Sequence, residues 1–173
     1  MDLKEKIRTV EDFPTKGTSF GDITTLLQDS EALNHCIDLM VAHYADKGIN
    51  KIVATESRGF IFGAILAHQL NAGFIPLRKP GKLPWKTIKQ EFQTEYSKDA
   101  FEIHIDAIKK GDSCLLVDDI IATGGTTEAG CKLIEKLGGR VTGVCTLMEL
   151  TFLGAQEKLK QYEVFSLIKH GKE

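Results

Sequence analysis

Residues 114–126 read Cys-Leu-Leu-Val-Asp-Asp-Ile-Ile-Ala-Thr-Gly-Gly-Thr. The apolar run 114–117 suits a strand buried on both faces. Two adjacent carboxylates follow, Asp118 and Asp119. After them comes a short turn of small and hydroxylated residues, Ala122, Thr123, Gly124, Gly125 and Thr126, and then a helical pattern. Such a turn between strand and helix presents several backbone N–H groups toward one point. The helix dipole adds partial positive charge there, so the turn suits a phosphate. The acid pair cannot face that phosphate. It suits sugar hydroxyls, or a divalent cation reached through water. Phosphate, sugar and metal chemistry within residues 118–126 points to a ribose-phosphate ligand. The blander reading is an ordinary strand–turn–helix with solvated acids.

A second stretch has the same design. Glu56-Ser57-Arg58-Gly59 follows an apolar strand pattern at 51–55 and opens a helical one at 58–70. The N–H groups of Ser57, Arg58 and Gly59 can converge on an anion, and Arg58 brings a formal charge. A helix N-terminus with a surface arginine is the alternative. Further on, residues 78–90 carry Arg78, Lys79, Lys82, Lys86 and Lys89 with no acid among them, and also Pro80, Gly81 and Pro84. That composition predicts irregular structure. Cations without counter-ions favour an anionic ligand, although a solvated basic loop would look similar.

The elements that must position these residues alternate. A short amphipathic helix is expected at 1–8 and a Gly-, Thr- and Pro-containing segment at 13–25, with Phe13 and Phe20 as anchors. A helix capped by Asp29 or Ser30 follows, with Leu33, Ile37, Met40, Val41 and Tyr44 on one face. Strands are expected at 51–55, 73–77, 100–105, 114–118, 141–150 and 162–167, and helices at 58–70, 126–137 and 153–160. Strands alternating with helices indicate an α/β fold with a mostly parallel central sheet. Ligands of such sheets sit beyond the carboxyl ends of the strands, where both motifs fall.

Length and composition fit one soluble domain, residues 1–173, with 42% hydrophobic and 27% charged residues. The net charge of −2 gives no bulk attraction for nucleic acid. No apolar run reaches the ~20 residues of a membrane span, and the N-terminus lacks the apolar core of a secretion signal. A cytoplasmic location is expected, with no nucleic-acid or membrane partner. Cys36, Cys114, Cys131 and Cys145 are widely spaced and form no metal or redox pair, so they are expected as core residues. The five histidines do not cluster and are expected to be structural or surface groups.

The 114–126 stretch resembles the signature by which the type I phosphoribosyltransferase family binds 5-phosphoribosyl-1-pyrophosphate (PRPP). The similarity extends from about residue 13 to residue 167, and is strongest to the adenine branch. It implies a parallel sheet flanked by helices, a mobile catalytic loop over the site and a small N-terminal base-binding hood. By this resemblance Asp118, Asp119 and residues 122–126 bind the ribose and 5′-phosphate. Glu56, Ser57, Arg58, Gly59, Arg78, Lys79 and Lys82 serve the pyrophosphate, with a cis peptide before Ser57. The loop closes over 78–96, where Glu95 lies near the reacting base and Tyr96 near the ribose phosphate. Glu95, Arg58 and Tyr96 are thus the implied catalytic groups. Adenine is implied to stack between Phe20 and Leu150, read by the backbone around Ser19, Phe20 and Gly21. The implied reaction is adenine plus PRPP giving AMP and pyrophosphate, with Mg²⁺ held mainly by PRPP and water, in a homodimer.

Several positions depart from the family pattern. Glu56 stands where Asp is frequent. Thr18 and Ser19 replace β-branched apolar residues, and Gly21 replaces a common basic residue. Trp85 and Lys86 have no counterpart. Ala122 fits the adenine branch, since hypoxanthine–guanine enzymes place an Asp there. Transfer to xanthine, hypoxanthine or guanine stays open, as does a non-catalytic PRPP-sensing regulator. Such regulators carry a DNA-binding module, for which there is no room ahead of Phe13.

Overall fold

The computed structural model describes residues 1–93 and 98–171. The chain forms two compact units, Met1–Leu39 and Met40–Glu173. In the first unit a single 3-10 turn, Lys4–Lys6, stands where a helix over 1–8 is expected. It runs into a strand, β1 Arg8–Glu11. Residues 13–25, to which no helix or strand is assigned from sequence, contain β2 Ser19–Asp22, antiparallel to β1, and the start of a short helix, α1 Thr24–Gln28. The hairpin places Val10 opposite Phe20, and the Phe13 and Phe20 rings meet edge to face at 5.2 Å. An ion pair, Arg8 to Asp22 at 2.7 Å, ties β1 to the residue that opens α1. The Thr24 hydroxyl and amide donate to the same Asp22 carboxylate and, with Arg8, hold its pKa down at about 2. The Asp29 carboxylate caps α2 Ser30–Tyr44 by accepting from the Glu31 and Ala32 amides, both at 3.1 Å.

The second unit is built on five parallel strands. In chain order they are β3 Lys51–Thr55, β4 Gly73–Leu77, β7 Ser113–Ile121, β8 Arg140–Leu150 and β9 Val164–His170. Two further strands, β5 Thr87–Gln93 and β6 Lys98–His104, pair antiparallel as a separate hairpin. The sheet order is β4-β3-β7-β8-β9. Counting sheet strands alone, this is 2-1-3-4-5, a doubly wound order whose topological switch point lies between β3 and β7. β3 and β7 are apolar because both faces are covered: Ile52, Val53 and Ala54 on one, Cys114 to Val117 on the other, are all fully buried. The helices of this unit are α3 Gly59–Gln69, α4 Gly125–Lys136 and α5 Ala155–Leu159. One large core gathers Val53, Leu77, Phe101, Ile103, Leu116, Cys131, Ile134 and Val144, among others.

Three boundaries differ from expectation for identifiable reasons. The strand expected at 114–118 extends to Ile121, because Ile120 and Ile121 keep their ladder partners Met148 and Glu149 on β8. The helix expected at 153–160 divides into a 3-10 turn, Thr151–Leu153, and α5. Gly154, at φ 71°, breaks it. Residues 87–90 belong to β5 rather than to an irregular loop, since Ile88, Gln90 and Phe92 alternate against β6. The four cysteines are free and buried. Burial raises the Cys36 thiol to about 11 and Cys114 to about 12, and pushes Cys131 and Cys145 up as well. Among the described residues no helix is long and apolar enough to cross a membrane.

Candidate active site

The two motifs meet at the switch point. β3 ends at Thr55 beside Asp118 of β7, in the register Ala54 to Val117. Each strand is followed by a turn and a helix, α3 or α4, so two helix N-termini are directed at one region. The first N–H groups of both helices have no intrahelical acceptor, and the helix dipoles favour negative charge there.

Gly59 makes this proximity possible. A Cβ at position 59 would lie 2.8 Å from Thr55 Oγ1, 3.1 Å from the Val117 carbonyl and 3.2 Å from Asp118 Cα. Only glycine lets α3 begin so close to the ends of both strands. Gly124 plays the equivalent part in the second turn. It adopts φ 82°, a conformation glycine takes without steric cost, and it precedes the first residue of α4. A Cβ there would stand 3.1 Å from that of Ala155. Ala122, Thr123 and Thr126 are half-buried, and Gly124 and Gly125 are buried. From Ile120 through Thr127 no side chain carries a charge, so any anion held by this turn is held by amides and hydroxyls.

Asp118 and Asp119 are not solvated acids at the end of a strand. They lie within β7 and are 7% and 5% exposed. The Asp119 amide donates to Asp118 Oδ1 at 2.8 Å, and Arg58 Nε donates to Asp119 Oδ2 at 2.7 Å. Burial, and then the neighbouring Asp119, push the Asp118 carboxyl well above the ordinary carboxylate range. The Arg58–Asp119 pair thus joins the two motifs directly.

Glu56 organises the neighbouring strand end. Its amide donates to the Leu77 carbonyl, and its Oε1 accepts from Arg78 Nε at 3.2 Å and from the Lys79 amide at 2.7 Å. The Glu56–Ser57 peptide is cis, as the resemblance implies. Arg78 also lies over the Phe60 ring, and its backbone exchanges two hydrogen bonds with Glu102 of β6. Lys79 pairs with Asp99 of β6, and Lys89 with Glu91 at 3.5 Å. The expectation of five cations without counter-ions is therefore corrected. Three of them have acidic partners, which come from sequence segments outside residues 78–90. Lys82 and Lys86 are exposed. Glu95 and Tyr96 lie outside the described residues.

The end of the β5–β6 hairpin approaches the start of α4. The Gln93 carbonyl would be only 2.7 Å from a Cβ at Gly125. Gln93, the last residue of β5, is thereby placed beside the phosphate turn. Phe20, with Ser19 and Gly21, lies on β2 of the first unit, and half-buried Leu150 ends β8. Sequence reasoning missed Asp99 and Glu102, the residues that fix Arg78 and Lys79. The alternating pattern at 100–105 marks their strand but not its partner. Among the described residues no group of three or more His, Cys, Asp or Glu could hold a metal. The site offers two buried acids and no complete cage, which fits a cation that arrives on an oxygen-rich ligand with its own waters.

Residues 22–171 match the model of the phosphoribosyl transferase domain. The adenine phosphoribosyltransferase of Acetivibrio thermocellus is 55% identical over 171 residues, 98% of this chain and the whole of that protein. A crystal structure of adenine phosphoribosyltransferase from Thermoanaerobacter pseudethanolicus superposes with a TM-score of 0.94 at 47% identity, covering 97% of this chain and 98% of the other. The Giardia lamblia enzyme complexed with 9-deazaadenine gives 0.93 at 39% identity, over 98% and 96%.

Proposed function

This chain belongs to the adenine phosphoribosyltransferase family, and from that premise we propose how its residues carry out the transfer of a 5-phosphoribosyl group from PRPP to adenine, giving AMP and pyrophosphate. The observation that carries the reading is the convergence of two anion-binding helix starts on a buried acid pair at the β3/β7 switch point. A substrate with a phosphate at one end, a pyrophosphate at the other and hydroxyls between matches that order of groups.

Residues 122–126 hold the 5′-phosphate through backbone N–H groups and the Thr123 and Thr126 hydroxyls. Asp118 and Asp119 accept from the ribose hydroxyls. The amides of Ser57, Arg58 and Gly59, together with Arg58, Arg78, Lys79 and Lys82, receive the pyrophosphate. The bond from C1′ to the leaving oxygen is largely broken before the base bonds, so positive charge builds on the ribose and negative charge on the pyrophosphate. The protein's contribution is alignment plus electrostatic stabilisation of the leaving group. By the family motif, Glu95 would manage the proton on the base and Tyr96 would serve the ribose phosphate. The adenine contacts, Ser19, Phe20, Gly21 and Leu150, rest on the family motif.

Mg²⁺ bound to PRPP would neutralise part of the pyrophosphate charge, and Asp118 and Asp119 are the acids able to reach it through water. We also propose a cytoplasmic homodimer. Supporting a dimer, α3 is apolar from Gly59 to Ala67 yet leaves Ile61 38% exposed, and Phe74, whose ring meets that of Phe60 at 5.7 Å, is 39% exposed.

A base-by-base assay with Mg²⁺ and PRPP tests the substrate. Adenine should be used at least ~100-fold more efficiently than hypoxanthine or guanine, about 2.7 kcal/mol of discrimination. Comparable turnover of hypoxanthine would sink the adenine reading.

A further inference from the structure

Glu149 sits on β8 one residue before Leu150 and is 4% exposed. No ion pair to it occurs among the described residues. Its carboxyl group meets two neutral donors instead, Gln156 Nε2 at 2.6 Å on Oε1 and Ser166 Oγ at 3.1 Å on Oε2. One side chain thereby joins β8, α5 and β9. A buried carboxyl with neutral partners is a poor source of stability compared with an apolar residue, so its value lies in what it holds in place.

What it holds is a closed excursion of the chain. The backbone leaves β8 at Leu150, passes through the 3-10 turn Thr151–Leu153 and the left-handed Gly154, and enters α5 at Ala155. The Glu149–Gln156 hydrogen bond clasps the two ends of that excursion. Ala155 is fully buried, and it is the residue that Gly124 faces, with a hypothetical Cβ at 124 only 3.1 Å from the Ala155 Cβ. Ala155 therefore roofs the left-handed residue of the phosphate turn. Loosening the clasp lets Ala155 retreat, and the turn loses the wall that keeps its amides convergent.

We propose that Glu149 is a positioning residue for the 5′-phosphate turn, acting through Gln156 and Ala155. The proposal rests on the assignment of residues 122–126 to the phosphate. The test uses the full-length chain and two probes, ribose 5-phosphate and inorganic pyrophosphate, with binding followed by calorimetry and steady-state kinetics in PRPP. Misplacing a binding group by a fraction of an ångström is enough for roughly a ten-fold loss. Glu149→Ala and Gln156→Ala should weaken ribose 5-phosphate by that factor, and should raise KM for PRPP more than they lower kcat. Pyrophosphate binding should stay within about two-fold, since its loop lies on the other side of the switch point. Glu149→Gln keeps an acceptor for Gln156 and should restore most of the lost affinity.

A merely structural role would weaken both probes alike or lower only the melting temperature, and either result overturns the proposal. Should Glu149→Ala fail to fold, Gln156→Ala carries the same test, because Gln156 is an exposed residue. Gly124→Val separates the two levels of the argument. If it leaves ribose 5-phosphate binding intact, the phosphate-turn assignment falls. If it abolishes binding while Gln156→Ala changes nothing, only the role of Glu149 falls.

Discussion

The turn after β3 and the turn after β7 share one plan, a buried parallel strand delivering a helix start to the same place, yet they are equipped in opposite ways. On the β3 side the working groups are charged side chains, and Arg58, Arg78 and Lys79 each have an acidic partner. Arg58 holds Asp119, while Glu56 holds Arg78 and the Lys79 amide. After β7 there is no charge at all through Thr127, only amides, hydroxyls and a left-handed glycine under the Ala155 roof. The difference follows the proposed ligand. A 5′-phosphate does not change during the reaction, so fixed dipoles hold it without reorganising. A leaving pyrophosphate gains charge, and mobile cations that exchange partners can follow that gain. On the proposed function the β7 turn acts as a rigid handle and the β3 side as a set of exchangeable ion pairs.

The largest effect should come from the rigid side. Gly124→Val places a β-branched side chain at φ 82° and against Ala155, and both faults displace the amides. Steady-state kinetics should show kcat/KM for PRPP down by ~1,000-fold, about 4 kcal/mol. A loss under about ten-fold would mean that the handle is not rigid, and the contrast between the two turns would collapse.

Asp118→Asn should act next most strongly, and in two directions. The KM for PRPP should rise by roughly ten-fold, the loss of one carboxyl hydrogen-bonding partner to the ribose hydroxyls. Stability should rise, with a pH signature. The carboxyl pKa of folded Asp118 is raised, so the folded state retains its proton where the unfolded chain has released it. Wild-type stability therefore falls as pH climbs from about 4 toward the folded pKa. Asn carries no such loss. The gain in Tm from Asp118→Asn should be larger at pH 8 than at pH 4, as differential scanning calorimetry would show. Equal gains at both pH values would mean that Asp118 is ionised in the folded protein without cost.

Much of this arrangement was legible in the residues, and most of what escaped depends on contacts between distant positions. The strand–turn–helix motifs at 56–59 and 118–126 are contiguous, so local pattern revealed them, including the parallel sheet that carries them. The pairing of Arg58 with Asp119 spans sixty-one positions, and that of Lys79 with Asp99 twenty. Neither leaves a local trace. Composition alone made residues 78–90 look like uncompensated charge, because the partners of Arg78 and Lys79 sit just after β3 and on β6, and that of Lys89, Glu91, falls one residue past the stretch. The β1–β2 hairpin was missed because its strands have only four residues each, and their burial does not alternate. Gly124 was visible as a glycine, but the role of Ala155 above it depends on how α5 returns to the site.

The smallest effect should come from the rim of the exchangeable side, and it tests the idea of exchange itself. The Lys79 and Asp99 side chains are 41% and 26% exposed. An ion pair that open to solvent is worth less than about 1 kcal/mol, so Asp99→Asn should move Tm little. If Lys79 serves the pyrophosphate, Asp99 competes with substrate for it in the free protein. Removing the competitor leaves Lys79 ready, and KM for PRPP should stay level or fall, by no more than about three-fold at low salt. Arg58 cannot be freed in this way, since its partner Asp119 is itself proposed to bind the ribose. An Asp99→Asn enzyme whose KM rises ten-fold or more would reverse the argument. Asp99 would then be holding Lys79 in its working position, and the ion pairs after β3 would form a fixed scaffold like the turn after β7.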